Sequence, residues 1–138
     1  MSTFCTSDGV NLSYIEDGKG GHPVVLIQGY TGPAASWALT TDALVAVGYR
    51  VIAFDRRCHG ESETPVFGQR MARHGRDVGE LLEHLGLNDV TLVGASMGGN
   101  AIWAYVDQFG PDRLRAIVIA DQTPKMLNSP DWPYGHYG

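Results

Sequence analysis

Apolar and polar positions alternate in blocks along this chain, and the blocks are of two kinds. Residues 24–27, 50–54, 90–93 and 114–120 are short, largely apolar runs. Runs of this length read as strands covered on both faces. Between them the apolar residues are spaced for a helix. Trp37, Thr41, Leu44 and Val45 share one face, and Gly48 closes that segment. Val78, Leu81, Leu82 and Leu85 follow i, i+3, i+4, i+7 spacing and end at Gly86. From Asn100, the residues Ile102, Val106 and Phe109 form a third stripe, which Gly110-Pro111 stops. Two β-prone runs, 3–6 and 10–15, flank Ser7-Asp8-Gly9 and predict a hairpin. Strand and helix alternate after it. The fold class expected is α/β, with a mostly parallel sheet and helices on both faces.

One stretch interrupts this alternation with chemistry. Residues 94–98 read Gly-Ala-Ser-Met-Gly, between an apolar run and a helical one. A strand, a tight turn and a helix in that order can hold a serine at strained angles, with its hydroxyl above the sheet edge. Gly94 and Gly98 let strand and helix close on the turn. The helix start supplies free N–H groups, and that of Met97 is placed to donate to an oxyanion. The same glycines would also serve a plain connecting turn.

Composition narrows the field. The 138 residues are 43% apolar and 18% charged, enough for one domain with a core. A net charge of -5 with no basic face argues against a nucleic-acid partner. Arg56-Arg57 and the pair Arg113 and Arg115 are the tight basic groups, and they read as solvated charges at loops and helix ends. Cys5 and Cys58 lack metal-ligand spacing and read as reduced thiols. No signal pattern opens the chain, and no apolar run is long enough for a bilayer. The expectation is a cytoplasmic protein without a membrane partner. No dinucleotide fingerprint follows an early strand, and no cofactor is expected.

Three motifs in order carry a family resemblance. They are residues 24–32, with Gln28-Gly29 in a glycine-rich loop, residues 55–62, Asp-Arg-Arg-Cys-His-Gly-Glu-Ser, and the 94–98 turn. Together they resemble the α/β-hydrolase fold from Phe4 to about Pro124. Cys58 stands where that family usually has glycine, and Gln28 where it usually has histidine. The resemblance implies that Ser96 is a nucleophile and that the N–H groups of Met97 and Tyr30 form an oxyanion hole. His59 would then structure its loop. Ser96 also separates the chain from the branch of the fold that uses an aspartate nucleophile. Lyases and perhydrolases share the serine machinery, so the reaction class within the fold stays open.

The family's sheet runs to eight strands, with its acid usually after the seventh and its histidine after the eighth. This sequence supplies about six. The resemblance therefore divides it into the N-terminal part of a hydrolase core, 1–124, and the start of a cap insertion or tail, 125–138. Within the chain, Ser96, Asp121 and His136 occur in the family order of nucleophile, acid and base. Asp121 ends the sixth strand, but His136 lies in a Pro- and aromatic-rich tail with no strand to position it. His22 falls in a loop, and His74 and His84 read as exposed side chains on or near the second helix. Asp55 reads as a loop brace.

Two functions are compatible with these features. One is a serine hydrolase acting on carboxylic esters or related small acyl substrates. The other is a non-catalytic, incomplete hydrolase that binds a small apolar ligand or a partner chain. A structural liability accompanies both. Residues 116–120 are uncharged and apolar, and in the family's strand order their outer edge has no neighbour here. Self-association through that edge is expected unless the tail covers it.

Overall fold

A computed structural model describes all 138 residues. It contains a six-stranded sheet in the order β1-β2-β4-β3-β5-β6. β1 (Ser2–Cys5) and β2 (Asn11–Asp17) form the antiparallel hairpin, with Phe4 opposite Leu12. β2 runs antiparallel to β4 (Arg50–Phe54). β3 (Pro23–Ile27), β4, β5 (Val90–Ala95) and β6 (Leu114–Ala120) are mutually parallel where they pair.

The apolar strand runs lie at the centre, as their composition requires. Val25, Leu26, Ile27, Val51, Ile52 and Leu92 are all fully buried. Each such side chain contributes at most about 1.5–3 kcal/mol through its removal from water. One face of the sheet is covered by a 3₁₀ turn (Ala34–Trp37) and α1 (Ala38–Ala46). There Leu44 and Val45 pack on Val24, Leu26, Val51 and Ala53. The other face carries α2 (Met71–His84) and α3 (Met97–Phe109), which bury Val78, Leu81, Ile102 and Tyr105 in a larger cluster.

This topology positions the site. The parallel strands β3, β4 and β5 all end at one rim, and Ile27 of β3 is in register with Gly94 of β5. Three loops leave that rim side by side: 28–33, 55–70 and the turn at Ser96. β3 sits between β4 and β5, so the chain reverses its direction of travel across the sheet there. Ligand crevices of open α/β sheets form at such a switch point.

Two expectations are corrected. Arg56 and Arg57 are not solvated; they are 2% and 0% exposed. His74 is buried too, while His84 is exposed and stacks on Phe4 with centroids 5.3 Å apart. The tail, residues 125–138, forms no helix or strand, and its two isolated bridges, Leu127 with Tyr137 and Ser129 with Trp132, lie within itself. It does not pair with β6, whose Ile117 and Val118 stay exposed. Trp132 packs edge-on against Tyr134 instead. No helix is long and apolar enough to cross a membrane.

Candidate active site

Ser96 joins β5 to α3 at φ 47° and ψ -121°. This is a sparsely populated region for a residue with a Cβ, costing on the order of 1–3 kcal/mol, and it holds only where the surroundings enforce it. They do. Ser96 N–H donates to the Ala120 carbonyl at 2.8 Å, and the Ser96 carbonyl accepts from Gly99 N–H at 2.8 Å. The glycines of the turn are required by contact. A Cβ on Gly98 would stand 2.2 Å from the Ile27 carbonyl oxygen, and one on Gly94 would stand 2.6 Å from Gly99 N. Ser96 itself is exposed.

The loop after β3 packs directly on the serine. A Cβ built on Gly29 would lie 3.1 Å from Ser96 Cβ and 3.7 Å from Ser96 Oγ. Neither Tyr30 N–H nor Met97 N–H donates a hydrogen bond to the rest of the chain. Two unpaired backbone donors therefore belong to residues adjacent in sequence to Ser96 and to Gly29, which packs on it. Tyr30, Met97, Thr31, Cys58, His59 and His74 line a cavity of about 400 Å³ beside it. A larger cavity, about 590 Å³, lies around Phe67, Arg70 and Arg76 and contains none of the turn residues. Chemistry and not size therefore locates the site.

The loop after β4 supports this arrangement. Asp55 Oδ1 accepts from Ala34 N–H at 2.5 Å and its Oδ2 from Glu61 N–H at 3.1 Å, so Asp55 braces two loops. Cys58 has φ 63°, a left-handed conformation that explains why glycine suits this position. His59 Nδ1 lies 2.9 Å from the Arg57 carbonyl and Nε2 lies 3.1 Å from Arg56 Nη2. A carbonyl only accepts and a guanidinium only donates. His59 is therefore the neutral Nδ1–H tautomer, with its Nε2 lone pair occupied. Burial, with the nearby Arg56 charge, holds it below the ordinary histidine range. It organises the loop and has no lone pair free for a serine proton.

The structure brings Ser96, Met97 and Tyr30 together, with Gly94 and Gly98 shaping the turn. Asp121 follows β6 directly beside the turn at φ 55°. Asp121 and His136 have no hydrogen bond to Ser96 or to each other; His136 holds Met126 through its backbone N–H at 2.8 Å, and its ring is exposed. Arg56 and His74 are the components that sequence reading missed. His74 lies four residues before Val78, in line with the buried stripe of α2, which was the available signal.

His74 has no partner for Nδ1. Burial, and then the charges of Arg56, Arg57 and His59, push it down to about 4. The unfolded chain thus binds a proton near pH 6.5 that the folded chain refuses until about pH 4. The contribution of His74 to stability is fully present above pH 6.5 and falls as the pH drops toward 4. Asp8 and Glu80, partly buried yet held low by hydrogen bonds and by Arg57 and Arg73, add their loss only as the pH falls through the ordinary carboxylate range. In urea titrations His74→Phe should flatten the decline between pH 6.5 and 4.5, leaving the share of His59, which is also held low. An identical slope in both proteins would exclude His74 as its source.

Comparison with known proteins agrees with this architecture. A family model for the alpha/beta hydrolase fold matches residues 22–136. The chain is 42% identical to the non-heme chloroperoxidase CPO-A1 of Kitasatospora aureofaciens, over 95% of its own length and 47% of that protein's. It is 31% identical to 3-oxoadipate enol-lactonase 2 of Acinetobacter baylyi, covering 92% of itself and 47% of the relative. An esterase structure from Exiguobacterium antarcticum superposes with a TM-score of 0.91 at 28% identity, over 97% of this chain and 50% of that one. The chain thus spans about half the length of the relatives it matches. With its sheet order, its serine turn and this match, the chain belongs to the α/β-hydrolase fold family.

Proposed function

We propose that this chain carries the nucleophile and oxyanion hole of a serine hydrolase acting on carboxylic esters. The observation that carries the reading is Ser96, exposed at strained backbone angles between the two unpaired N–H groups of Met97 and Tyr30. Ser96 Oγ attacks the acyl carbonyl, and its proton passes to a base. The carbonyl oxygen becomes an oxyanion held by the two N–H groups. The alcohol leaves with a proton, and water then releases the acid from the acyl-serine. Each oxyanion donor in such a site is worth about 10²–10³ in rate. The esterase and the lactonase among the relatives are named for reactions at an ester carbonyl, which supports this substrate class.

A second reading is binding without turnover. It is favoured by the absence of any hydrogen bond from Ser96 Oγ to a histidine. Within this chain the proposed acid and base are Asp121 and His136, and neither is hydrogen-bonded to Ser96. A fluorophosphonate probe separates the two. We expect covalent labelling at Ser96 on incubation, located by peptide mass spectrometry, and none in Ser96→Ala. A chain that is folded yet never labels would leave the binding reading.

A further inference from the structure

Arg56 is a buried cation without a counter-ion. It is 2% exposed, and no carboxylate lies within salt-bridge distance of it. Its neighbour Arg57 shows the usual solution, a bidentate pair with Asp77. All of Arg56's hydrogen-bond partners are neutral. Nε donates to the Gln28 carbonyl at 3.1 Å, Nη2 to the Gly29 carbonyl at 2.8 Å, and Nη2 also to His59 Nε2 at 3.1 Å. Nη1 is buried with no partner at all. Burying a guanidinium in this way is costly, and burial lowers its pKa to about 10. A neutral amide could hold two carbonyls at less cost. The charge therefore calls for a role that uses charge.

The Gly29 carbonyl and the Tyr30 N–H are the two ends of one peptide group. That peptide is trans, so its N–H points opposite to its carbonyl. With the carbonyl turned down onto Arg56, the N–H faces away from it, on the open side of the loop, and it has no acceptor in the chain. A charge-assisted hydrogen bond at the oxygen withdraws electron density along the amide. It strengthens the donor at the other end, and because the Arg56 contact itself is buried the polarisation at the carbonyl is little screened.

We propose that Arg56 is a positioning residue of the oxyanion hole: through the Gly29 carbonyl it both fixes and polarises the Tyr30 N–H. His59, as its neutral tautomer, holds the guanidinium in place from the other side. This rests on the hydrolase reading for its use in catalysis, but not for the polarisation itself.

The two are tested separately. Hydroxide-catalysed exchange of an unpaired amide tracks its acidity. By NMR, the Tyr30 amide of the 138-residue chain should exchange at least about fivefold more slowly in Arg56→Met than in the native chain, the scale of a unit charge about 4 Å away even at the dielectric of water. Its proton resonance should move upfield. Arg56→Lys, which keeps the charge but loses the fork, should recover part of both changes, which loss of shape alone would not give. Ser96 labelling by the fluorophosphonate should slow in the same order. Unchanged Tyr30 exchange and shift in folded Arg56→Met would overturn the proposal. Slowed exchange together with a native chain that never labels would keep the polarisation and defeat the hydrolase reading. If Arg56→Met does not fold, Arg56→Lys decides: Tyr30 exchange at the native rate with the native shift, despite a lost carbonyl contact, would refute the role.

Discussion

Asp77→Ala should destabilise the chain by about 3–5 kcal/mol, enough to unfold much of it at room temperature. Asp77 is fully buried in α2, and it takes two hydrogen bonds from Arg57, at 2.6 and 2.8 Å, and one from Arg73 at 2.9 Å. Arg57 is itself 0% exposed. Removing the carboxylate leaves that guanidinium buried, with only Asp8 at 3.2 Å on its outer side. The large cost comes from the stranded charge, not from the pair's intrinsic strength. A shape-preserving Asp77→Asn should therefore also destabilise strongly, because the amide cannot accept both bonds on the same terms. Urea denaturation followed by circular dichroism measures this. A loss under about 1 kcal/mol in both variants would show that Arg57 finds water or Asp8 instead.

This pair also marks the limit of what one sequence discloses. The strands and helices are legible because burial of apolar side chains is periodic and local. The serine turn is legible because Gly94 and Gly98 stand at fixed offsets from Ser96. The hairpin, the end of α1 near Gly48 and the stop at Gly110 follow from local backbone preferences. Arg56 and Arg57 are different. Whether an arginine is solvated or buried depends on a partner, and Asp77 lies 20 residues away on another element. Two of Arg56's three partners are backbone carbonyls 28 and 27 residues upstream, which leave no trace in side-chain pattern. The tail gave no period to read; its aromatic residues pair with one another, and it adds no strand beside β6. The helix α3 begins at Met97, three residues before its apolar stripe becomes visible at Asn100, because Gly98 and Gly99 carry no side chain to show a face.

Gly98→Ala should lower stability by about 1–3 kcal/mol and slow labelling of Ser96 together. By helix propensity alone, alanine would gain up to about 1 kcal/mol here. Contact overrides it. The new Cβ would stand 2.2 Å from the Ile27 carbonyl oxygen, 2.9 Å from its carbon and 3.0 Å from the Gln28 oxygen. All three are backbone atoms at the end of β3, so no rotamer change relieves the clash. Either α3 retreats from the sheet or β3 bends, and both movements spread the gap between Met97 and the loop that carries Tyr30. Gly99→Ala is the matched control in the same helical turn. Its Cβ would meet Ile119 Cγ2 at 3.0 Å, a methyl branch of a half-buried side chain and not backbone, so a shift of a few tenths of an ångström relieves it. Its propensity gain is the same, so its net effect on stability should be small and its effect on labelling smaller than that of Gly98→Ala. Equal behaviour of the two variants would mean that the closeness of α3 to β3 does not set the geometry around Ser96. Loss of labelling in Gly98→Ala without loss of stability would place the whole effect in the separation of the two N–H donors.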